Sequence, residues 1–180
     1  MFFFLLLVLT FLALVAQHFV GACPGIGGHV LLMHLVFFYA AAALPIEGML
    51  AMAFATGLMW DCVTAVPVDG RVEAAFGTSI LIYGALGGVM NGLRPLYLRG
   101  RWQLHCVVAG LLTSVLVLVE FVIITFRRVP FEFTWPREVW HRIIGSGIAS
   151  LLIAPLLFFS LSWLGRRLGV FQKRRLVTPA

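Results

Sequence analysis

The sequence predicts an all-α integral membrane protein, six transmembrane helices in one bundle with both termini cytoplasmic, and three observations carry that prediction. Of the 180 residues, 62% are apolar and 11% charged, whereas a soluble domain is charged at roughly a quarter of its positions. Apolar runs of about 20 residues, the length that crosses a bilayer core, recur between clusters of Gly, Pro and charge. Basic residues gather beside particular runs, as they do where they set orientation. Six such helices take roughly 120 positions, so the chain reads as one transmembrane domain, 1–165, and a basic tail, 166–180. That leaves no room for a soluble domain. The surplus of 13 Lys and Arg over 7 Asp and Glu speaks to topology and not to a nucleic-acid partner.

The first span, 2–20, lacks a basic leader, and the stretch around Ala22 is a poor cleavage site, so it is kept as a helix and not read as a signal peptide. The second and third, 29–44 and 47–65, are short and meet at Leu44-Pro45-Ile46-Glu47. Pro45 suits the first turn of a helix and Glu47 the positive end of its dipole, so a tight helical hairpin is expected. The fourth span is 74–93, the fifth 104–126 and the sixth 142–164. Cys23, Cys62 and Cys106 are too few and too scattered for a metal framework and read as small apolar filler.

Orientation follows from the charges. The loop 94–103 holds Arg94, Arg99 and Arg101, and the tail holds Arg166, Arg167, Lys173, Arg174 and Arg175, which places both in the cytoplasm and, over an even number of spans, the N-terminus with them. The opposite loops carry Arg71, Arg127, Arg128, Arg137 and Arg142, largely offset by Asp69, Glu73, Glu132 and Glu138. Trp60, Trp135, Trp140 and Trp163 fall near span ends as an interfacial belt, with Trp102 at the inner edge. The longest outer loop, 127–141, alternates aromatic, proline and charge; it reads either as a connector lying along the headgroups or as a contact surface for an extracytoplasmic partner, with Arg127, Arg128, Phe131 and Trp135 as its contact residues.

Two groups of residues stand out inside the spans. Gly84, Gly88 and Gly92 repeat every fourth residue, with Gly77 near the same helical face. Such a small-residue groove lets another helix approach closely. It serves either packing inside the bundle, with Gly145 and Ala149 or Ser146 and Ser150 as its complement, or the helix of a partner. The second group is ionisable: Asp61, Glu120, His34 and His18, each costly in a bilayer. At 1.5 Å per residue Asp61 lies about 6 Å and Glu120 about 9 Å from the outer ends of their helices, with His34 at similar depth. They suit an outward-opening polar level with Arg71 or Arg127 as counter-ions. Equally, Asp61 can cap or snorkel beside Trp60, while His18 and His34 read as ordinary helix-end and core residues.

Signatures of catalysis are missing from the sequence: no Gly-x-Ser-x-Gly, no His-Glu-x-x-His, no phosphate-binding Gly-x-x-x-x-Gly-Lys-Ser/Thr and no aspartate-rich metal site. Asp69-Gly70-Arg71, bracketed by Pro67, reads as a turn. No catalytic residue, cofactor or metal is expected.

The order of six spans, the Pro45 hairpin, the close Gly57-Leu58-Met59-Trp60-Asp61 and the Pro67 to Gly70 turn together resemble the rod shape-determining protein MreD family over most of the chain. One departure is Pro67-Val68-Asp69-Gly70 where the family usually has Pro-x-Gly. The resemblance implies a non-enzymatic subunit of the bacterial elongation machinery in the cytoplasmic membrane. It implies MreC as partner and, through it, MreB, RodA and a class B penicillin-binding protein, with membrane lipid around the bundle. It also implies a fold like that of the substrate-binding S components of energy-coupling-factor transporters, which are the rival reading. S components commonly carry Ala-x-x-x-Ala in the first span, whereas here Ala13 and Ala16 are three apart.

Overall fold

The computed structural model describes residues 1–20, 29–64, 67–68, 71–72, 77–127 and 137–167. Within them the chain is helical apart from one small ladder. The elements are α1 (Phe2–Phe19), α2 (Leu32–Ala43), α3 (Ile46–Thr64), β1 (Pro67–Val68), β2 (Arg71–Val72), α4 (Thr78–Gly92), α5 (Arg94–Leu98), α6 (Trp102–Arg127) and α7 (Arg137–Arg167). β1 and β2 pair antiparallel, Val68 opposite Arg71, so the chain reverses between them. Four helices, α1, α3, α6 and α7, are long and apolar enough to cross a membrane. The protein is thus a membrane-embedded helical protein.

The helix bounds correct the expected spans at three places. α2 has 12 residues and α4 has 15, about 18 Å and 22 Å of helix against a hydrocarbon core of about 30 Å. α7 begins at Arg137, not at 142, and runs 31 residues through Pro155. Glu138 in its first turn suits the positive end of the helix dipole. Trp140 and His141, expected in the outer loop, are therefore helical. The third correction is at the inner loop, where Pro95 sits in the first turn of the short α5, a position that needs no N–H.

The core forms around α2. Eleven of its twelve residues are buried, and α1, α3, α4, α5, α6 and α7 all touch it. Its end is dictated by Pro45, which disfavours helical backbone at the residue before it; Leu44 is extended at φ −84° and ψ 157°. The last carbonyls of α2 are met by side chains from α4 and α5. Asn91 Nδ2 donates to Ala41 O at 2.7 Å and to Leu44 O at 3.0 Å, and Arg94 Nη2 reaches Ala43 O at 3.5 Å. At the other end Met33 N–H donates to Gln17 Oε1 of α1 at 3.3 Å.

Glycine sets how closely the remaining helices approach. A Cβ on Gly57 of α3 would lie 2.6 Å from Ile80 Cα of α4, and one on Gly87 of α4 would lie 2.8 Å from Phe37 Cζ. On α6 and α7, a Cβ on Gly147 would collide with the Ser114 hydroxyl, and one on Gly110 would sit 3.1 Å from the Gly147 carbonyl oxygen. α1 instead buries only the stripe Leu6, Thr10 and Leu14. Phe4, Val8, Phe11 and Leu12 of α1 face outward, as lipid-facing residues do.

Replacing Asn91 with Leu leaves the carbonyls of Ala41 and Leu44 without a donor, and unsatisfied buried polar groups cost about 1–3 kcal/mol. Detergent-driven unfolding of N91L should show a loss of that size. Unchanged stability would mean that the end of α2 is satisfied in another way.

Candidate functional site

One end of the bundle brings polar side chains together from five helices. His34 lies in the first turn of α2, Thr56, Trp60 and Asp61 in the last turns of α3, Tyr83 on α4, Glu120 on α6 and Arg142 near the start of α7. The His34 ring meets Trp60 edge-on with centroids 4.9 Å apart and lies 5.5 Å from Tyr83, which in turn meets Phe37 at 5.0 Å. Glu120 of α6 is half-buried and Arg142 of α7 is exposed. Tyr83 lies in the field of both Glu120 and Asp61.

Asp61 has a structural task. Its Oδ2 accepts the Gly77 N–H at 2.7 Å. Gly77 immediately precedes α4 with φ 98°, a left-handed conformation that side chains with a Cβ rarely take. α4 has no cap of its own at this end, so the carboxylate from α3 meets the positive end of the α4 dipole. The expected capping role of Asp61 is found, but on the neighbouring helix.

His34 and Tyr83 of this cluster, and Thr56 one turn before Trp60 on α3, are fully buried and have polar atoms with no hydrogen-bond partner among the described residues. They are both ring nitrogens of His34, Thr56 Oγ1 and the Tyr83 hydroxyl. Buried polar atoms are paired in the great majority of cases, so several orphans in one place call for an explanation. The arrangement combines aromatic rings with polar groups that each donate as well as accept. Among the described residues no three His, Cys, Asp or Glu side chains group as metal ligands.

Asp61, Glu120 and His34, expected at one level, share this cluster. His18 does not: its Nδ1 bonds to Leu14 O at 2.8 Å on its own helix. The side chains of Arg71 and Arg127, expected as counter-ions, lie outside the described residues. Trp60, expected in the interfacial belt, is half-buried near the end of α3 and packs partly on the core. Tyr83 and Thr56 were not anticipated. A tyrosine within an apolar run and a threonine one helical turn before Trp60 were the available signals.

The glycines divide differently from expectation. A Cβ added at Gly84, Gly88 or Gly92 meets nothing within 4 Å, so among the described residues that face of α4 is open. Close packing falls to Gly57 and Gly87. Gly77 is no part of the helical face, because it stands before α4 as its cap residue. Gly145, Ser146, Ala149 and Ser150 are buried on α7, whose neighbours are α6 and α2. The outer-loop residues Arg128, Phe131 and Trp135 lie outside the described residues, and Arg127 ends α6.

No protein-family model, curated protein or solved structure matches the chain.

Asp61→Ala removes the acceptor at the start of α4 and should cost about 1 kcal/mol, the usual loss for a helix cap. Asp61→Asn keeps an acceptor oxygen and should cost less. Unfolding curves of the two variants check the order, and equal losses would show that the charge, not the hydrogen bond, holds α4.

Proposed function

We propose that this protein is a non-enzymatic scaffold subunit of the bacterial elongation machinery, of the MreD type. In this reading it crosses the cytoplasmic membrane six times with both termini inside, in a fold like that of energy-coupling-factor S components. It binds MreC and thereby helps to organise lateral wall synthesis by RodA and a class B penicillin-binding protein along MreB.

The observation that supports this reading is the open face of Gly84, Gly88 and Gly92. Within a bilayer, helices associate through close packing at small residues. The bundle leaves this stripe uncovered while it buries Gly57 and Gly87 a few residues away. A single transmembrane helix laid along α4 would reach the α4 backbone there, with exposed Leu81 and Val89 beside it for side-chain packing. The MreC helix is the occupant that the resemblance implies.

The orphaned polar atoms at His34, Thr56 and Tyr83 favour a second reading, a substrate-binding S component. That reading expects a vitamin-like molecule and a pair of ATPase subunits to accompany the purified protein, and it expects no MreC.

Gly88→Leu distinguishes fold from partner, because the added side chain meets open space. The variant should keep its thermal stability and lose MreC on co-purification by roughly tenfold, the effect of about 1.4 kcal/mol. Gly87→Leu, which would strike Phe37 and Met49, should instead destabilise the bundle. Undiminished recovery of MreC with G88L removes this face from the interface.

A further inference from the structure

The end of the bundle opposite His34 carries charge that the chain does not balance. Between Glu73 and Glu120, and again beyond Glu138, the sequence has no acidic residue. The arginines of α5, of the turn after it and of the last turn of α7 all fall in those stretches. Arg99, Arg101, Arg166 and Arg167 are exposed. Glu47, in the first turn of α3, is the single carboxylate among the described residues that shares this end. At the other end Arg137 and Arg142 stand with Glu138 in the opening turns of α7 and with Asp61 near the end of α3.

Local structure holds the four arginines in place. α5 closes in a Schellman turn: Gly100 N–H donates to Tyr97 O at 2.9 Å and Arg101 N–H to Leu96 O at 3.1 Å, with Gly100 left-handed at φ 85°. Arg99 and Arg101 flank that glycine, so a backbone fixed by hydrogen bonds presents both. Tyr97 and Ser162 share a hydrogen bond of 2.8 Å, which brings this turn to the last turns of α7. There Arg166 Nε donates to the Ser162 carbonyl oxygen at 3.3 Å, and the Arg167 guanidinium lies 4.2 Å over the Trp163 ring. Trp163 is 48% exposed. An exposed tryptophan at a span end sits at headgroup depth, so the guanidinium stacked on it lies where lipid phosphates lie.

A guanidinium is always charged and presents a planar fork of donors that matches phosphate oxygens. Basic residues beside a membrane-spanning helix attract lipids of net negative charge, whereas a zwitterionic lipid offsets its phosphate with its own cation. We propose that Arg99 and Arg101 of the turn after α5, with Arg166 and Arg167 of α7, form a binding site for the phosphate of an anionic phospholipid. The site stands apart from the partner face on α4 and does not rest on the scaffold reading.

The test uses the whole protein in nanodiscs of equal phosphatidylglycerol and phosphatidylcholine, from which native mass spectrometry reads the lipids that stay bound. Phosphatidylglycerol should be retained over phosphatidylcholine, and less so as salt rises. Arg99→Gln with Arg101→Gln should lower that preference roughly 30-fold, the combined attraction of two basic residues at an anionic membrane surface. Arg166→Gln with Arg167→Gln should act likewise, and carries the test if the first pair does not fold. Arg137→Gln with Arg142→Gln makes the same change of charge at the other end and should leave the preference intact. No preference in the wild type, or an equal loss from the pair at the other end, overturns the proposal.

Discussion

A helix leaves its last carbonyls without intrahelical partners, and the side chains that satisfy them tie that helix to its neighbours. That constraint on α2 governs the rest of the structure. With 12 residues it is too short to cross the bilayer core alone, and with eleven of them buried it touches lipid almost nowhere. Its terminal carbonyls are met by Asn91 and Arg94 from the end of α4 and the start of α5. These bonds fix where α4 ends, and the α5 turn then carries Tyr97 to Ser162 of α7 at 2.8 Å. His105 at the start of α6 meets Leu93 O at 3.0 Å. This end of the bundle is therefore tied through a small set of polar bonds around one buried helix.

The opposite end of α2 is built on a different balance. Its first turn sets His34 against the rings of Trp60 and Tyr83, and the imidazole nitrogens and the Tyr83 hydroxyl lack a hydrogen-bond partner among the described residues. A fold held this tightly at one end can carry unsatisfied polar groups at the other. The glycines show a similar division of labour. Gly57, Gly87, Gly110 and Gly147 close the bundle, whereas Gly84, Gly88 and Gly92 leave a surface that the described residues do not cover. On the proposed reading, α4 holds the bundle with one side and offers the other to a partner's helix.

Much of this was legible in the sequence, for identifiable reasons. The break between α2 and α3 follows from Pro45, which acts locally, and the membrane character follows from composition. The shared level of Asp61, Glu120 and His34 follows from counting residues along helices whose directions alternate. The length of α7 was missed because Pro136 and the charges at 137, 138 and 142 look like a loop, although a helix tolerates all of them in its opening turns. The role of each glycine was not legible. Gly87 and Gly88 are adjacent, yet one packs on Phe37 and the other on nothing, and only the rotation of α4 about its axis decides between them. Nor could periodicity show that Asn91 caps a helix 50 positions away in the chain.

The most direct test of the account is site-specific photo-crosslinking along α4 in native membranes, with a photoreactive side chain placed in turn at 84, 87, 88, 89 and 92. The scaffold reading expects crosslinks to the single transmembrane helix of MreC at 84, 88 and 92. It expects none at 87, where Phe37 and Met49 fill the space. Crosslinks confined to lipid at the three open positions, or captured MreC that maps to another helix, would contradict it.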